Sequence, residues 1–502
     1  MNKKCALFLS SIAFVGLLAA CGPSAPAASS EPVCDAIEDA SLIEQLTIVN
    51  KDEIYGNIYL PSTVDGNAIE WKSSDPSIIS DKKEGEMEAG VVHRGAEDAQ
   101  VTLTAKIAGE KDAEGKEGPC RSYSQTVTVK ALEKEIKDED YVGYYFGHFI
   151  SEDGREENGQ KIALGEQMYF ALADAHQGLH FKDLGTRNNP ILSSVVGERG
   201  VRDPFMMRSP EGDRFFIVAT DLSVYTRGGW GANTNDLFSR TGSHSVVFWE
   251  SRDLVNWSES RLLPVAPENA GMAWAPEMIY HEETGQYVIF FASCLVNEDH
   301  SQKVEKDAIY FVTTRDFVHI SEPHLLIPNQ DNGNRIVIDA SILRLGNTYY
   351  SAVKDGDNNV DGGGILIQKT TNLFDYQSWE RVGNLADTGL KMASSKGGQA
   401  DPSNKNLEGP EWFVYNLEDR ANRDVPEYGL MGDQYMNSGA GYLPFGTTNI
   451  EDITNQNSSW RMLSAGETAD YSWDALTKRH GTIMRLTEEE CTRIREHYGL
   501  QS

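Results

Sequence analysis

The sequence is short of positive charge. Its 502 residues hold 45 lysines and arginines against 76 aspartates and glutamates, a formal net charge of −31 at pH 7. A field of that sign repels phosphate backbones and anionic head groups, so we expect no nucleic-acid partner. The acidic residues are spread along the chain without one long block, which is typical of a solvated surface.

Long hydrophobic runs are also missing, apart from one at the start. Lys3 and Lys4 precede CALFLSSIAFVGLLAA, which is short for a membrane span but has the length of a signal-peptide core. Residues 1–20 are therefore predicted to be a signal peptide. The run ends in LLAACG, which resembles the bacterial lipobox and implies cleavage before Cys21 and lipidation of its thiol. The alternative is an ordinary signal peptide with a chance cysteine.

Residues 21–35 are small, polar and rich in proline, a composition typical of a tether that holds a folded body away from a bilayer. We expect an exported lipoprotein, anchored by its lipid alone. Gly22 stands where an aspartate would commonly retain a lipoprotein at the inner membrane, so the outer membrane or cell surface is predicted.

Cysteine is scarce, with six residues in the whole chain. Export makes a disulfide permissible. Cys34 and Cys120 bracket one small region and could join its ends. Cys294, in an apolar strand, and Cys491, in a predicted polar terminal helix, are interpreted as free thiols.

Residues 36–132 have the alternation of short strands in LTIVN, NIYLP, AIEWKSSDP, VTLTAKIAG and YSQTVTVKA. Turn residues separate these runs, which predicts a small β-sandwich. Their order resembles the atrophied bacterial immunoglobulin-like domain, a spacer; a carbohydrate-binding module is the alternative. Residues 133–140 form a charged linker.

Residues 141–502 contain a repeat. Three classes of strand-like segment recur five times each, and the opening class reads VRDPFMM, WAPEMIY, IDASILR, LEGPEWF and RHGTIMR. The period of roughly 60 to 75 residues suits four-stranded blades with long loops. We therefore predict an all-β chain in which a five-bladed β-propeller follows the immunoglobulin-like sandwich. RHGTIMR has no second or third strand after it, so the two ends of this region are predicted to share a blade.

The opening strand of each blade lines the axis of a propeller, so the residue at its start lies near the axial funnel. Five polar residues stand there: Asp203, Glu277, Asp339, Glu408 and His480. We expect them to occupy equivalent positions and to converge on one pocket.

The ordered set RDP, WAPE, IDAS, EGPEWF and RHG resembles glycoside hydrolase family 43, which includes α-L-arabinofuranosidases, β-xylosidases and arabinanases. The resemblance implies inversion at the anomeric carbon. It also implies an aspartate base on the first blade, an aspartate on the third that tunes the acid, and a glutamic acid in the EGP turn of the fourth. Matched by position, these residues are Asp203, Asp339 and Glu408.

The chemistry needs the same residue types. A glycosidic oxygen leaves poorly unless it is protonated, so one carboxyl must hold a proton while another stays ionised to activate water. A third carboxylate beside the acid raises its pKa by repulsion. Glu411 is the alternative acid.

Four further residues are candidates for substrate binding: Arg202, Trp274, Glu277 and Trp412. The tryptophans are equally suited to a buried core. His480 resembles the family histidine that faces an axial ion, often calcium bound largely through water, although a hydrogen-bonded core histidine is the alternative. No cofactor is expected for catalysis, and DGDNNVDGGG from Asp355 is interpreted as a surface loop.

The expected function is removal of terminal α-L-arabinofuranosyl or β-D-xylosyl residues from plant-type polysaccharides or oligosaccharides. The protein is expected to act as a monomer. Long loops at residues 226–244 and 391–406 are predicted to wall the funnel into a pocket, which favours terminal attack. The alternatives are an endo-acting arabinanase and a surface lipoprotein that binds glycans without cleaving them.

Overall fold

Strands dominate the computed structural model, which confirms the all-β prediction. It describes residues 34–109, 118–329, 335–356, 364–388, 390, 407–434, 441–453 and 458–500. The predicted signal peptide, Cys21, nearly all of the tether, the loop at 391–406 and most of the loop after Asp355 lie outside these residues. Within them, no helix is long and apolar enough to cross a membrane.

The N-terminal region forms one five-stranded sheet with the strand order β1-β5-β4-β3-β2. Its elements are β1 (Asp35–Ala36), helix α1 (Ala40–Leu46), β2 (Thr63–Val64), β3 (Asn67–Ser73), β4 (Ala99–Ile107) and β5 (Arg121–Val129). Alternate side chains of β4, including Val101, Leu103 and Ala105, are fully buried. A disulfide joins Cys34 to Cys120 beside the start of β5, as the spacing allowed.

Two of the five strand-like runs in this region are not strands. LTIVN starts at Leu46, the last residue of α1, and continues as irregular chain. The helix begins because Asp39 accepts hydrogen bonds from the amides of Ser41 and Leu42. Leu42 and Leu46 are buried four residues apart on one helix face. NIYLP is also irregular, so the second layer of the predicted sandwich consists of α1, loops and isolated bridges such as Ile79–Val92.

The region after residue 140 contains five four-stranded antiparallel sheets. The first is made of β6 (Tyr141–His148), β9 (Tyr169–Ala173), β11 (Lys182–Asp183) and β29 (Gly481–Thr487). The second is made of β12 (Val201–Arg208), β13 (Phe215–Asp221), β14 (Ser245–Ser251) and β15 (Arg261–Pro264). The third is made of β16 (Trp274–His281), β17 (Gln286–Val296), β18 (Lys303–Thr314) and β19 (His324–Ile327). The fourth is made of β20 (Val337–Leu345), β21 (Thr348–Asp355), β22 (Gly364–Thr370) and β23 (Glu380–Asn384), and the fifth of β24 (Glu408–Val414), β25 (Tyr428–Asp433), β26 (Tyr442–Thr447) and β27 (Arg461–Met462).

Smaller elements decorate these sheets. They are the strand pairs β7 (Gly154–Glu157) with β8 (Gln160–Ala163) and β10 (Leu179–His180) with β28 (Tyr471–Ser472), and the helices α2 (Leu237–Arg240), α3 (Leu417–Asn422) and α4 (Glu488–Tyr498). Thr487 and Glu490 form a capping box at the start of α4, and Ile494 is buried. This helix matches the polar terminal segment of the sequence.

The predicted pairing of the two chain ends is confirmed. β29 runs antiparallel to β6, with Gly481 opposite His148 and Leu486 opposite Gly143. β29 is thus the inner strand of the first sheet. The inner strands contact one another in the circuit β12, β16, β20, β24, β29 and back to β12. The starts of all five strands are therefore brought together.

The N-terminal sheet docks on the far side of this ring. Arg94 lies against Asp213 at 2.7 Å, and the Arg315 guanidinium donates to the carbonyl oxygens of Ile58 and Ala89 at 3.1 and 2.7 Å. Asp213 and Arg315 lie in the turns after β12 and β18. Since neighbouring strands are antiparallel, these turns lie opposite the end where the inner strands begin. The docked domain leaves that end uncovered.

Candidate active site

Four of the inner strands, β12, β16, β20 and β24, carry a register shift near their start. The shift places one extra residue on the inner strand, within residues 202–205 (RDPF), 274–277 (WAPE), 338–341 (IDAS) and 408–411 (EGPE). We call these segments the bulge tetrads. A bulge bends a strand and re-aims its side chains, and bulges are common beside active sites.

The second residue of every tetrad has a left-handed backbone. Asp203, Ala275, Asp339 and Gly409 have φ values of 46°, 44°, 52° and 54°. This conformation suits glycine, is tolerated by aspartate and costs other residues about 1–2 kcal/mol. The same kink therefore recurs on four strands, and these four residues are the equivalent ones.

The predicted equivalence of the five polar residues is wrong in its register. Glu408 holds the first tetrad position, with Arg202 and Trp274, whereas Glu277 and Glu411 hold the fourth. The prediction aligned the acidic residues of the five strands with one another. The backbone kink instead aligns Pro204, Pro276 and Pro410, each at the third tetrad position. Only Asp203 and Asp339 are equivalent, because their side chains leave the same point of the same kink.

Asp203 is held as a carboxylate. Thr220 Oγ1 donates to its Oδ2 at 3.0 Å, and His480 Nδ1 lies 3.4 Å from its Oδ1. Burial raises the pKa of Asp203, but the His480 and Arg202 charges outweigh that effect and leave the pKa below its ordinary value. An ionised carboxylate with an acceptor oxygen near a wet funnel can take a proton from water.

Glu408 has the opposite tendency. Burial raises the pKa of Glu408 to about 7, the Lys354 charge opposes that shift and the Asp339 charge adds to it. Lys354 Nζ lies 3.2 Å from Glu408 Oε2, and the Glu408 side chain keeps 24% of its surface exposed. This carboxyl can therefore hold a proton near neutral pH and still be reached from the funnel.

Asp339 lies between these two groups in the network. Its Oδ2 accepts a hydrogen bond of 3.0 Å from the amide of Gly409, directly after Glu408. Burial, and less strongly the Asp203 charge, raise the pKa of Asp339 against the lowering effect of His480. The contact ties the third bulge tetrad to the fourth, which fits a group that tunes its neighbour.

Glu277 and Glu411 lie deeper, with 3% and 1% of their surfaces exposed. Burial, followed by the Glu411 charge, raises the pKa of Glu277 well above its ordinary value. Burial raises the pKa of Glu411 to about 7. Because so little of either side chain is exposed, neither can approach a sugar as Glu408 can, and Glu277 is not placed to bind substrate directly.

Two predicted substrate contacts are contradicted by burial. Trp412 is 6% exposed and packs in the core with its ring centroid 6.0 Å from that of Trp460. Arg202 is 5% exposed, and its guanidinium is taken up by Glu152 at 2.9 Å and Glu166 at 3.2 Å. Trp274 differs, since it is only half-buried at the first tetrad position and stays a candidate contact.

His480 is paired with Asp203 near the axis. Burial lowers the pKa of His480, but the hydrogen bond and charge of Asp203 raise it to about 9. In the described part of the chain no cluster of three or more His, Cys, Asp or Glu side chains is arranged to hold one. An axial ion held through water stays a prediction.

Several residues of the site carry no sequence signal. Lys354 is the partner of Ile338 across the β20–β21 pair, and Thr220 is the partner of Arg202 across β12–β13. Each could have been found by pairing the second strand with the bulge tetrad. Glu152 and Glu166 come from the β6–β7 and β8–β9 connections, which no motif marks.

A family model described as a probable glycosyl hydrolase domain, related to glycoside hydrolase family 43, matches residues 139–492. The match covers more than half of the chain. The chain belongs to this family. A second model, the atrophied bacterial Ig domain, matches residues 39–131. The two predicted resemblances are confirmed for this chain.

Among curated proteins, an α-L-arabinofuranosidase of Bifidobacterium longum subsp. longum is 29% identical over 430 residues, covering 78% of this chain and 36% of the relative. The chain thus spans about a third of the length of that relative.

Solved structures with some likeness to this family member include an arabinanase of Bacillus subtilis, at 15% identity and a TM-score of 0.32, covering 55% of this chain and 82% of the other. Another is an exo-β-1,3-galactanase of Phanerochaete chrysosporium, at 14% identity and a TM-score of 0.33, covering 56% and 52%. Likenesses this low carry no argument about activity.

Lys354 gives the first test of this family member's site. Its charge lowers the pKa of Glu408, so Lys354→Met should raise that pKa and move the alkaline limb of the kcat/KM profile up by roughly one pH unit. The matched control is Lys369→Met on the next strand, β22, which breaks a surface pair with Glu451 and should leave the profile unchanged. An unmoved or lowered limb in Lys354→Met would show that Lys354 does not set the acid.

Proposed function

We propose that the chain hydrolyses terminal α-L-arabinofuranosyl or β-D-xylosyl bonds in plant-type polysaccharides or oligosaccharides. The observation that carries the proposal is the opposite shift of two carboxyls on one ring. The pKa of Asp203 is lowered, while that of Glu408 is raised to about 7. A base and an acid are thus available together at mildly acidic to neutral pH, which is the requirement of glycoside hydrolysis.

In the proposed mechanism Glu408 donates its proton to the glycosidic oxygen as the bond to the anomeric carbon breaks. Asp203 takes a proton from a water molecule, whose oxygen attacks that carbon from the opposite face. Asp339 raises the pKa of Glu408 by its charge and holds the Gly409 amide in place. The product has the inverted configuration.

We further propose that the five sheets are the blades of a closed propeller whose first blade combines both ends of the domain. The circuit of inner-strand contacts supports this arrangement. The loop at 226–244 connects β13 to β14 at the end of the ring where the inner strands begin. A long loop at that end favours a walled pocket and hence attack on terminal units. Its predicted partner wall at 391–406 lies outside the described residues, and an endo-acting enzyme would release oligosaccharides before monosaccharide.

Substitution of the two principal carboxyls tests the roles. Asp203→Asn and Glu408→Gln should each lower turnover of an aryl α-L-arabinofuranoside or β-D-xyloside by at least ~10²-fold with the fold intact by circular dichroism. Glu408→Gln should recover on substrates with very good leaving groups, because these need no proton, whereas Asp203→Asn should not recover.

Glu411→Gln is the matched comparison for the acid. We expect it to lower stability rather than to show leaving-group rescue, since Glu411 is buried beside Glu277. Rescue in Glu411→Gln together with near-normal activity in Glu408→Gln would transfer the acid role to Glu411. A panel of aryl glycosides on which the unaltered chain has no activity would refute hydrolysis and favour glycan binding alone.

We also propose that the mature protein is an exported lipoprotein, anchored through Cys21 at the outer membrane or cell surface and acting as a monomer. The lipobox-like LLAACG and the polar tether support the anchor. Cys21→Ser should move the protein from the membrane fraction to the soluble fraction of the producing bacterium. Equal distribution of the two forms would contradict the anchor.

A further inference from the structure

All nine tryptophans lie within the described residues, and among them only Trp230 is exposed, with 47% of its surface open to solvent. It begins the short 3-10 turn Trp230–Ala232 in the loop between β13 and β14. Tryptophan carries more apolar surface than any other side chain, and leaving it exposed forgoes the free energy of burying that surface. A single exposed apolar residue is ordinary, but one held in place beside an active site needs a physical account.

The indole is fixed by three contacts. Its ring centroid lies 5.8 Å from that of Phe238, and its Nε1 hydrogen bond goes to Glu152 Oε1 at 3.4 Å. The guanidinium carbon of Arg202 lies 5.4 Å from the ring centroid. The polar edge and part of the surface are therefore occupied by protein, while almost half of the side chain stays open.

The same contacts connect the indole to the proposed base. Arg202 directly precedes Asp203, and Glu152 pairs with Arg202 at 2.9 Å and with Arg479 at 3.3 Å. Arg479 in turn precedes His480, the partner of Asp203. Glu152 thus connects the Trp230 indole to Arg202, which precedes the proposed base Asp203. It also connects the indole to Arg479, which precedes the imidazolium of His480.

Trp230 also belongs to the same wall as Trp274. Phe238 forms a small buried cluster with Leu222 and Val224, and Trp274 packs against that cluster. Trp274 is half-buried at the first position of its bulge tetrad, whereas Trp230 is exposed. One apolar cluster thus supports two indoles near the starts of the inner strands, and the outer indole is open to solvent.

We propose that Trp230 is the stacking platform for a sugar unit at the mouth of the site, next to the terminal unit held between Asp203 and Glu408. The proposal rests on the proposed function for the position of the terminal unit. The C–H face of a sugar ring is apolar and matches an open indole face, and a ring already fixed by Phe238, Glu152 and Arg202 loses little entropy on binding. Under terminal attack this unit belongs to the leaving group.

The test separates binding from hydrolysis. In an Asp203→Asn background, which keeps oligosaccharides intact, α-1,5-linked arabinotriose and β-1,4-linked xylotriose are titrated by calorimetry into chains with Trp230, Trp230→Phe and Trp230→Ala. We expect the better trisaccharide to bind roughly three- to tenfold more weakly to Trp230→Ala, with an intermediate affinity for Trp230→Phe. Hydrolysis of the same sugars is measured with Asp203 restored.

The matched control is Tyr376→Ala, which removes another exposed aromatic, 42% open to solvent, from a turn at the opposite end of the fourth sheet. It should leave trisaccharide affinity unchanged. Equal affinity of Trp230 and Trp230→Ala chains, or no binding of either trisaccharide to the Trp230 chain, would overturn the platform. Binding that depends on Trp230 without any hydrolysis would refute the proposed function but support the platform. Hydrolysis with an affinity that does not change in Trp230→Ala would support the proposed function but refute the platform.

Discussion

The left-handed kink at the start of four inner strands is the constraint on which the site depends. A regular strand would point successive side chains to opposite faces, so residues such as Asp203 and Asp339 would turn away from the axis or into the sheet. The extra residue of each bulge tetrad re-aims them, at a conformational cost that aspartate and glycine tolerate. Ala275, with a φ of 44°, holds the same kink without either advantage, so the ring imposes the conformation even where the side chain does not favour it.

Once the carboxyls are brought together, their surroundings separate their roles. Five acids meet at the starts of the inner strands, and burial alone would protonate them all. His480 is charged and lies against Asp203, so that acid stays ionised. Burial raises the pKa values of Glu277 and Glu411, although the His480 charge opposes the shift at Glu411. Burial also raises the pKa of Glu408, on which the Lys354 and Asp339 charges act in opposite directions. The base is thus set by the imidazolium that Asp203 meets, and the acid by the exposure that Glu408 keeps and Glu411 lacks.

The sequence predicted the parts of this arrangement that repeat. Five opening strands, the pairing of the chain ends and the convergence of Asp203, Asp339 and Glu408 all follow from periodicity and motif order. The register of the bulge tetrads was mistaken, although the shared prolines held the signal, because backbone conformation and not acidity defines equivalence. Lys354 was missed but could have been found by pairing β21 with the bulge tetrad of β20. Glu152 and Trp230 could not be assigned, since each reaches the site from a loop that no local pattern records. LTIVN and NIYLP are predicted strands that the structure does not contain. Their apolar alternation is real, but it buries side chains of irregular segments rather than one face of a strand.

The account depends on water, activated by Asp203, attacking opposite the bond that Glu408 protonates. Proton NMR of the first sugar released from a hydrolysed aryl α-L-arabinofuranoside or β-D-xyloside tests this most directly, if spectra are taken before the anomers equilibrate. We predict that the earliest product has the configuration opposite to that of the substrate bond. Retained configuration would mean a covalent intermediate on a carboxylate, and would contradict the role given to Asp203 and the division of labour derived from it.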